Sequence, residues 1–508
     1  MTADPYQSRL REGPYGFADL VHAEWTKFRT VRGWVIAVAV AALAIVAFAL
    51  APGQQGSCNT VGCTVPTGPG GEEVSDGFYF VHQPLTGNGS IAVRVTSLTG
   101  QIPDLAGAGM RTGLVPWAKT GIIIKAGSTP GSAYAAMMVT GSHGVRMQYD
   151  FTHDEPGRAG AVSAASPRWL RLTRSGDTIT GYDSVDGTHW AKVGTATLAG
   201  LPPAAQVGLF TTSPQYLQTS LGEASVSGGP SVATGVFDHV SLTWPSGSWV
   251  GDNLGGGGGP GSTVGFSQAA GAFTITGSGD IAPVVSGGGG VGVTVAQTLA
   301  GTFAGLIVLA VVGAVFMTAE YRRRLIFFTL AAAGRRGRVL AAKAVVVGAV
   351  TFAAGLAGAA IAVVVGQRVL RGNGAYVYPA SALTQVRVIA GTAAVLAVAA
   401  VLALAIGTIL RRGAGAVAVA VTVIVLPYLF TVAAPILPAG PAGWLLRVTP
   451  AAAFAVQQTL VQYPQVNNTY TAAYGYYPLP PWAGLAVLCA WAALALGLAA
   501  FLLRRRDA

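Results

Sequence analysis

Few residues in this chain have the types and spacing that do chemistry. The densest group is Asp150-Phe-Thr-His153-Asp154-Glu155, where carboxylates and an imidazole crowd six positions. Oxygen-rich clusters of this kind suit a divalent ion such as Ca²⁺. The spacing matches no diagnostic ligand set and Pro156-Gly157 follows, so a polar turn between two strands is the stronger reading. A glycosidase needs two carboxylates facing one cleft. Asp177, Asp183 and Asp186 fall in or beside expected turns, with no acid pair on one strand face. The Gly-x-Ser-x-Gly and His-Glu-x-x-His patterns are absent. So is Gly-x-x-x-x-Gly-Lys-Ser/Thr, which means that ATP phosphates are not cradled here by that route. No catalytic or metal-ligating residues are therefore assigned, and no cofactor is expected in the chain itself.

Binding surfaces are easier to nominate. Tyr182, Trp190 and Tyr216, with Trp169, could stack on sugar rings. Alternation along the expected strands favours a core position for Trp169 and Trp190. Cys58 and Cys63 could close a small loop as a disulfide in an oxidising compartment, or remain free thiols. Cys489 sits in an apolar run and reads as a packing residue. Asn467-Asn-Thr469 fits a glycosylation acceptor, a pattern common by chance.

The elements that would position these residues follow from composition. The 508 residues are 52 % hydrophobic and 10 % charged, with mean hydropathy +0.53. Soluble domains carry roughly 25 % charge, so the composition argues against an ordinary soluble enzyme, and it excludes a disordered chain. The net charge of +11 is unevenly placed. Residues 52–295 hold 10 Lys+Arg and 14 Asp+Glu, and the remainder holds 21 and 6. The basic excess thus belongs to the apolar parts, where it reports membrane orientation rather than nucleic-acid binding.

Six apolar runs are long enough to cross a bilayer: 33–51, 295–319, 344–366, 388–410, 414–434 and 482–503. Backbone groups in lipid must be satisfied internally, so each is expected to be helical. A cleaved signal peptide is the competing reading of the first, opposed by about 30 structured-looking residues ahead of it. Arginine and lysine cluster before the first run, between the second and third, between the fourth and fifth, and in the tail. With six spans all four clusters share one side, which the positive-inside rule makes cytoplasmic, with both termini there.

Residues 52–290 then lie outside. Short runs such as Gly121-Ile-Ile-Ile-Lys125, Val145-Arg-Met-Gln-Tyr149 and Trp169-Leu-Arg-Leu-Thr-Arg174 are separated by Gly, Ser, Pro and Asp turns. That spacing predicts an all-β sandwich at about 74–245, inserted between spans 1 and 2. Gly255–Gly259 and Gly287–Gly290 read as linkers, with a small hairpin between them. Before span 1, Phe17 to Arg29 carries apolar residues at 17, 20, 21, 25 and 28. This is an amphipathic helix with Glu24, Lys27 and Arg29 on its charged face, or else an ordinary basic flank. Glu320 to Arg338 mixes apolar and basic residues around a Gly break, either a docking helix or positive-inside charge alone. Glu320 is the one acid at a span boundary, which disfavours a membrane-embedded proton relay.

Two stretches carry a resemblance. Ala23-Glu-Trp-Thr-Lys-Phe-Arg-Thr-Val-Arg32 resembles the start of actinobacterial type-2 ABC transporter permeases. So do Thr318-Ala-Glu-Tyr-Arg322 and Arg335-Arg-Gly-Arg-Val-Leu-Ala-Ala-Lys343. The resemblance covers about 1–51 and 291–508. It implies a six-helix polytopic membrane protein in the bacterial plasma membrane, working as a dimer with a second copy or a paralogue. Separate ABC ATPase subunits would bind ATP and Mg²⁺. It implies an elbow helix within 1–32, including Glu24, Trp25, Lys27 and Arg29. It implies a coupling segment at 320–338, including Glu320, Arg322, Arg335, Arg336 and Arg338. It also implies a re-entrant outer segment at about 448–480, with a helix from Pro450. The long insertion departs from that family. Its Trp169–Asp177, Ser184–Trp190 and Phe237–Val240 stretches resemble a concanavalin-A/laminin-G-like jelly roll, a fold whose relatives often bind carbohydrate. The expected function is an exporter permease with an outer domain for cell-wall glycan, substrate or partner. The alternative is a non-transporting, membrane-anchored lectin-like sensor or adhesin.

Overall fold

The computed structural model describes residues 16–50, 65–105, 107, 109–220, 225–244, 247–255, 263–286, 293–323, 336–433, 437 and 439–505. The chain divides into two compact units. One comprises residues 1–57, 293–459 and 475–508, and the other 58–292 and 460–474. Cys58, Cys63 and Arg335 lie outside the described residues.

The first unit is helical. Helix α1 (Phe17–Thr30) precedes α2 (Arg32–Leu50). After the second unit come α3 (Thr302–Arg322), α4 (Arg336–Gly372), α5 (Ala382–Leu410), α6 (Gly413–Val432), α7 (Ala439–Val448) and α8 (Pro481–Arg505). Six of these helices are long and apolar enough to cross a membrane. Small residues let them pack closely: a Cβ on Gly313 of α3 would come within 2.2 Å of the Ala400 carbonyl oxygen of α5. Two π turns, Val421–Val425 within α6 and Leu429–Ala433 running one residue past its end, flank Pro427, which has no N–H to donate. Pro450–Gln457 forms a fully buried 3₁₀ segment in the expected re-entrant region.

Helix α4 differs from expectation. Its 37 residues begin at Arg336, so Arg336 and Arg338 form its first turn rather than a loop. At about 1.5 Å per residue it is about 55 Å long, more than the roughly 30 Å of a hydrocarbon core. Cys489 is exposed on α8, so it packs nothing in this chain.

The second unit is all-β and antiparallel. One sheet runs, in spatial order, β11 (Ala191–Thr197), β10 (Thr178–Ser184), β9 (Arg168–Ser175), β3 (Gly89–Pro103), β15 (Val232–Leu242), β18 (Ala272–Gly277) and β17 (Gly265–Ala269), with β4 (Met110–Thr112) also on β3. The other runs β16 (Val250–Leu254), β2 (Phe78–Thr86), β12 (Ala204–Thr212), β5 (Lys119–Lys125), β6 (Tyr134–Thr140), β7 (Val145–Tyr149) and β8 (His153–Pro156). Their facing side chains, including Val93, Leu170, Phe237, Val81, Ile122 and Met137, form one core. Gly181 on β10 (Thr178–Ser184) admits the Met137 and Met147 sulfurs of the opposite sheet, since a Cβ there would approach them to within 2.5 and 2.8 Å. The sheets extend past the expected limit near 245. Strand β16 (Val250–Leu254) edges β2, and β18 (Ala272–Gly277) pairs with β15. The hairpin of β17 (Gly265–Ala269) and β18 is thus part of the larger sheet, because Phe273 and Ile275 complete its core.

The central strands of the second sheet are buried on both faces, while its edge strands β16 and β8 are not. Its outer face packs Phe80, Ile123, Tyr134 and Phe210 against a ribbon of β1 (Val74–Asp76) and β19 (Ile281–Pro283). Two lysines on β5 (Lys119–Lys125) pin that ribbon. The Lys125 ammonium donates to Asp76 at 2.7 Å, and the Lys119 ammonium to Asp280 and the Ile281 carbonyl, both at 2.7 Å. Both lysines are fully buried, and burial pushes the Lys125 pKa down against the pull of Asp76.

Residues 460–474, within the expected re-entrant segment, cluster with the β unit. There Gln465 donates to the Thr152 carbonyl, Asn467 to that of Gln215 and Asn468 to that of Ser286. Tyr476 and Tyr477, late in the expected re-entrant segment, are buried.

Glu73, beside β1, is buried with neither carboxylate oxygen hydrogen-bonded. Burial raises its pKa from 4.5 to about 7. The folded state therefore holds this proton more tightly than the unfolded chain does. Its contribution to stability is full below pH 4.5 and is lost as pH rises through about 7. Scanning fluorimetry of the full chain from pH 4 to 8 should show that loss, and Glu73→Gln should flatten it. An unchanged slope in the variant would refute the assignment.

Candidate functional site: a buried charge ring

Three of the nominated charged residues meet inside the helical unit. Glu24 and Lys27 of α1, Glu320 of α3 and Lys343 of α4 form a closed ring of alternating charge. The Lys343 ammonium donates to Glu24 Oε2 at 2.7 Å and to Glu320 Oε1 at 2.6 Å. The Lys27 ammonium donates to Glu24 Oε1 at 2.8 Å and to Glu320 Oε1 at 3.2 Å. The side chain of Lys343 is 0 % exposed, Glu24 3 %, Glu320 11 % and Lys27 42 %.

Local sequence explains how each arrives. Glu24, Lys27 and Phe28 are spaced i, i+3 and i+4, so they share one flank of α1. Glu24 and Phe28 are the buried residues of that helix, while Phe17 and Trp25 remain exposed. The expected charged face is therefore half correct. Glu24 turns inward, and Arg29 stays exposed with Trp25. Glu320 lies in the last turn of α3, where the helix dipole is unfavourable to a carboxylate, so its two ammonium partners supply the compensation. The floor is aromatic. Lys343 Nζ lies 5.0 Å from the Phe316 ring centroid, and Phe28 and Trp34 pack on Phe316 at 5.7 and 5.8 Å. Burial lowers the Lys27 pKa, but Glu24 and Glu320 outweigh it and hold the ammonium above its ordinary value.

The ring can join three helices as one body. The other coupling candidates are dispersed. Arg322 is exposed at the end of α3, and Arg338 is half-buried on α4. Arg336 donates to the Leu503 carbonyl at 3.0 Å, satisfying an end of α8. Lys343 had no assigned role in the sequence reading. A signal existed: it is one of five lysines among 31 basic residues, at the start of an apolar run.

On the β unit, Tyr182 and Trp190 are brought together around Arg171, whose guanidinium lies 4.5 and 4.3 Å from the two ring centroids. Trp169 and Trp190 are half-buried on the outer face, not in the core, because Arg168, Leu170 and Leu172 take the inward positions of β9 (Arg168–Ser175). Tyr216 is apart from them, 6.0 Å from Arg111. The acidic cluster is only in part the expected turn: Asp150 and Phe151 adopt positive φ after β7 (Val145–Tyr149), whereas His153, Asp154 and Glu155 belong to β8 (His153–Pro156). Asp154 there accepts from Arg146 and Gln148. No group of three or more metal-ligating side chains occurs among the described residues.

No family model matches the chain. No curated protein matches it either. Among solved structures, a protein of unknown function from Saccharomyces cerevisiae is 19 % identical, with TM-score 0.20, over 34 % of this chain and 76 % of its own. A GH43 protein, BlXynB, from Bacillus licheniformis is 16 % identical, with TM-score 0.17, over 24 % of each chain. Scytalido-glutamic peptidase is 9 % identical, with TM-score 0.26, over 41 % of this chain and 100 % of its own. Likenesses this low carry no functional argument.

Removing one partner from a buried ion pair leaves the other charge uncompensated. Lys343→Met should therefore destabilise the helical unit by about 3–5 kcal/mol. Adding Glu24→Gln and Glu320→Gln to that variant should restore part of the loss. Thermal unfolding in detergent measures both. If the triple variant is less stable than the single one, the ring is not the source of the effect.

Proposed function

We propose that the chain is the membrane-spanning subunit of an ABC exporter, driven by ATP hydrolysis in separate subunits. The observation that carries this reading is the charge ring. It links the helix before the first span to the end of the second span and the start of the third. A force applied by a partner at 320–338 would then move α1, α3 and α4 together. Rocking of such a body against a second copy or a paralogue would alternate access to a path between the halves. ATP and Mg²⁺ belong to the partner subunits in this scheme. This chain contributes no bond-making step.

In the same reading the arginine-rich helix ends face the cytoplasm of a bacterial plasma membrane. The two-sheet unit lies outside as a jelly-roll-like module for cell-wall glycan, substrate or partner protein. The Tyr182 and Trp190 rings already hold Arg171 between them, so a glycan would use their remaining edges.

A gentle-detergent pull-down of the tagged chain, assayed for ATP hydrolysis, tests this. A stoichiometric phosphate-loop ATPase with vanadate-sensitive turnover is the expected result. A chain that elutes alone even after crosslinking in cells would overturn it in favour of the anchored sensor or adhesin. Arg322→Glu with Arg338→Glu should weaken capture of the ATPase about tenfold, as two rim charges at roughly 0.7 kcal/mol each would give. Undiminished capture would remove those arginines from the docking surface.

A further inference from the structure

The helical unit holds a groove of about 480 Å³ between α2 and α3. Val31, Trp34 and Ala37 line one wall, and Ile307, Val311 and Val315 the other. The helices run antiparallel here, since Trp34 packs on Phe316 beside Val315. From Ile307 to Val315 the groove is about 12 Å long, at about 1.5 Å per residue. Its walls are almost wholly apolar.

Charge decides what it fits. Arg32 lies between the lining residues Val31 and Gly33 at one end of the groove, and Arg29 is in the last turn of α1, across the extended residue Val31. Both are exposed, and neither has an ion-pair partner among the described residues. Arg322 and Arg323, exposed at the end of α3, lie toward the same end. The nearby acids do not cancel this charge, because Glu24 and Glu320 are matched within the ring by Lys27 and Lys343. A net positive mouth thus opens onto an apolar slot. Trp34 stands at the boundary, where indole rings favour a membrane interface.

We propose that this groove holds one acyl chain of an anionic phospholipid from the surrounding bilayer, with its phosphate paired to Arg29 and Arg32. The proposal rests on the membrane reading above. Bound lipid would brace α2 against α3 just outside the aromatic floor of the ring, because Trp34 both lines the groove and packs on Phe316.

Native mass spectrometry of the full chain, released from detergent micelles doped with phosphatidylglycerol or phosphatidylcholine, reads occupancy. The wild type should retain one phosphatidylglycerol, at least fivefold over phosphatidylcholine. Val311→Trp fills the slot and should cut retention at least tenfold. Arg29→Gln with Arg32→Gln alters only exposed side chains and should abolish the preference while leaving some lipid bound. Equal retention of the two lipids by the wild type overturns the headgroup assignment. Unchanged retention in Val311→Trp overturns the groove assignment. So does a shift of that variant from dimer to monomer, which would make the slot an interface with a second copy. Alkaline carbonate extraction separates these outcomes from failure of the membrane reading. Release of the wild type from membranes would sink that reading and the lipid site with it, whereas retention leaves the lipid counts to decide.

Discussion

An ammonium group without access to water must be met by carboxylates, and Lys343 imposes that requirement on the helical unit. Its partners come from two other helices, Glu24 on α1 and Glu320 on α3. Desolvating Lys343, Glu24 and most of Glu320 costs more than one ion pair returns, so the arrangement is stable only when closed. Closure fixes the rotation of α1, because only the flank bearing Glu24 and Phe28 can face inward. That rotation leaves Phe17 and Trp25 exposed on another side, available to an apolar surface. It also leaves Arg29 and Arg32 without an ion-pair partner among the described residues.

The β unit solves a related problem with the same means. Strand β5 is buried on both faces, yet it carries a lysine at each end. Each ammonium reaches the covering ribbon, and the ribbon is held by those contacts as well as by Val74 and Ile281 in the apolar layer. The ribbon strands come from the two chain ends of the sandwich, Val74–Asp76 and Ile281–Pro283. Their antiparallel pairing therefore closes the insertion on itself. In both units a buried lysine ties together segments far apart in sequence.

Several readings were accessible because they depend on local pattern. Six long apolar runs needed only counting against a bilayer thickness, and six helices of that kind are present among the described residues. The turn at Asp150 followed from polar residues ahead of Pro156-Gly157. The sandwich limit near 245 was set too early because glycine stretches look like linkers, whereas Phe273 and Ile275 are core residues whose partners lie on distant strands. The outward position of Trp169 was misassigned for a similar reason. Alternation gives two faces but does not say which one is inside, and Arg168 and Arg174 are buried through hydrogen bonds of their guanidinium groups.

By itself the sequence determined what composition and period can determine: an apolar helical part, an antiparallel β insertion and the absence of a phosphate loop. Glu24, Lys27 and Glu320 were nominated from their places at span boundaries, but nothing in their spacing said that they meet. That was decided by tertiary structure, because residues 24, 320 and 343 are brought together by helix packing across about 300 positions. The groove beside α2, the pinned ribbon and the capture of residues 460–474 by the β unit have the same origin. Each depends on which faces of separate elements come together, and local periodicity carries no information about that choice.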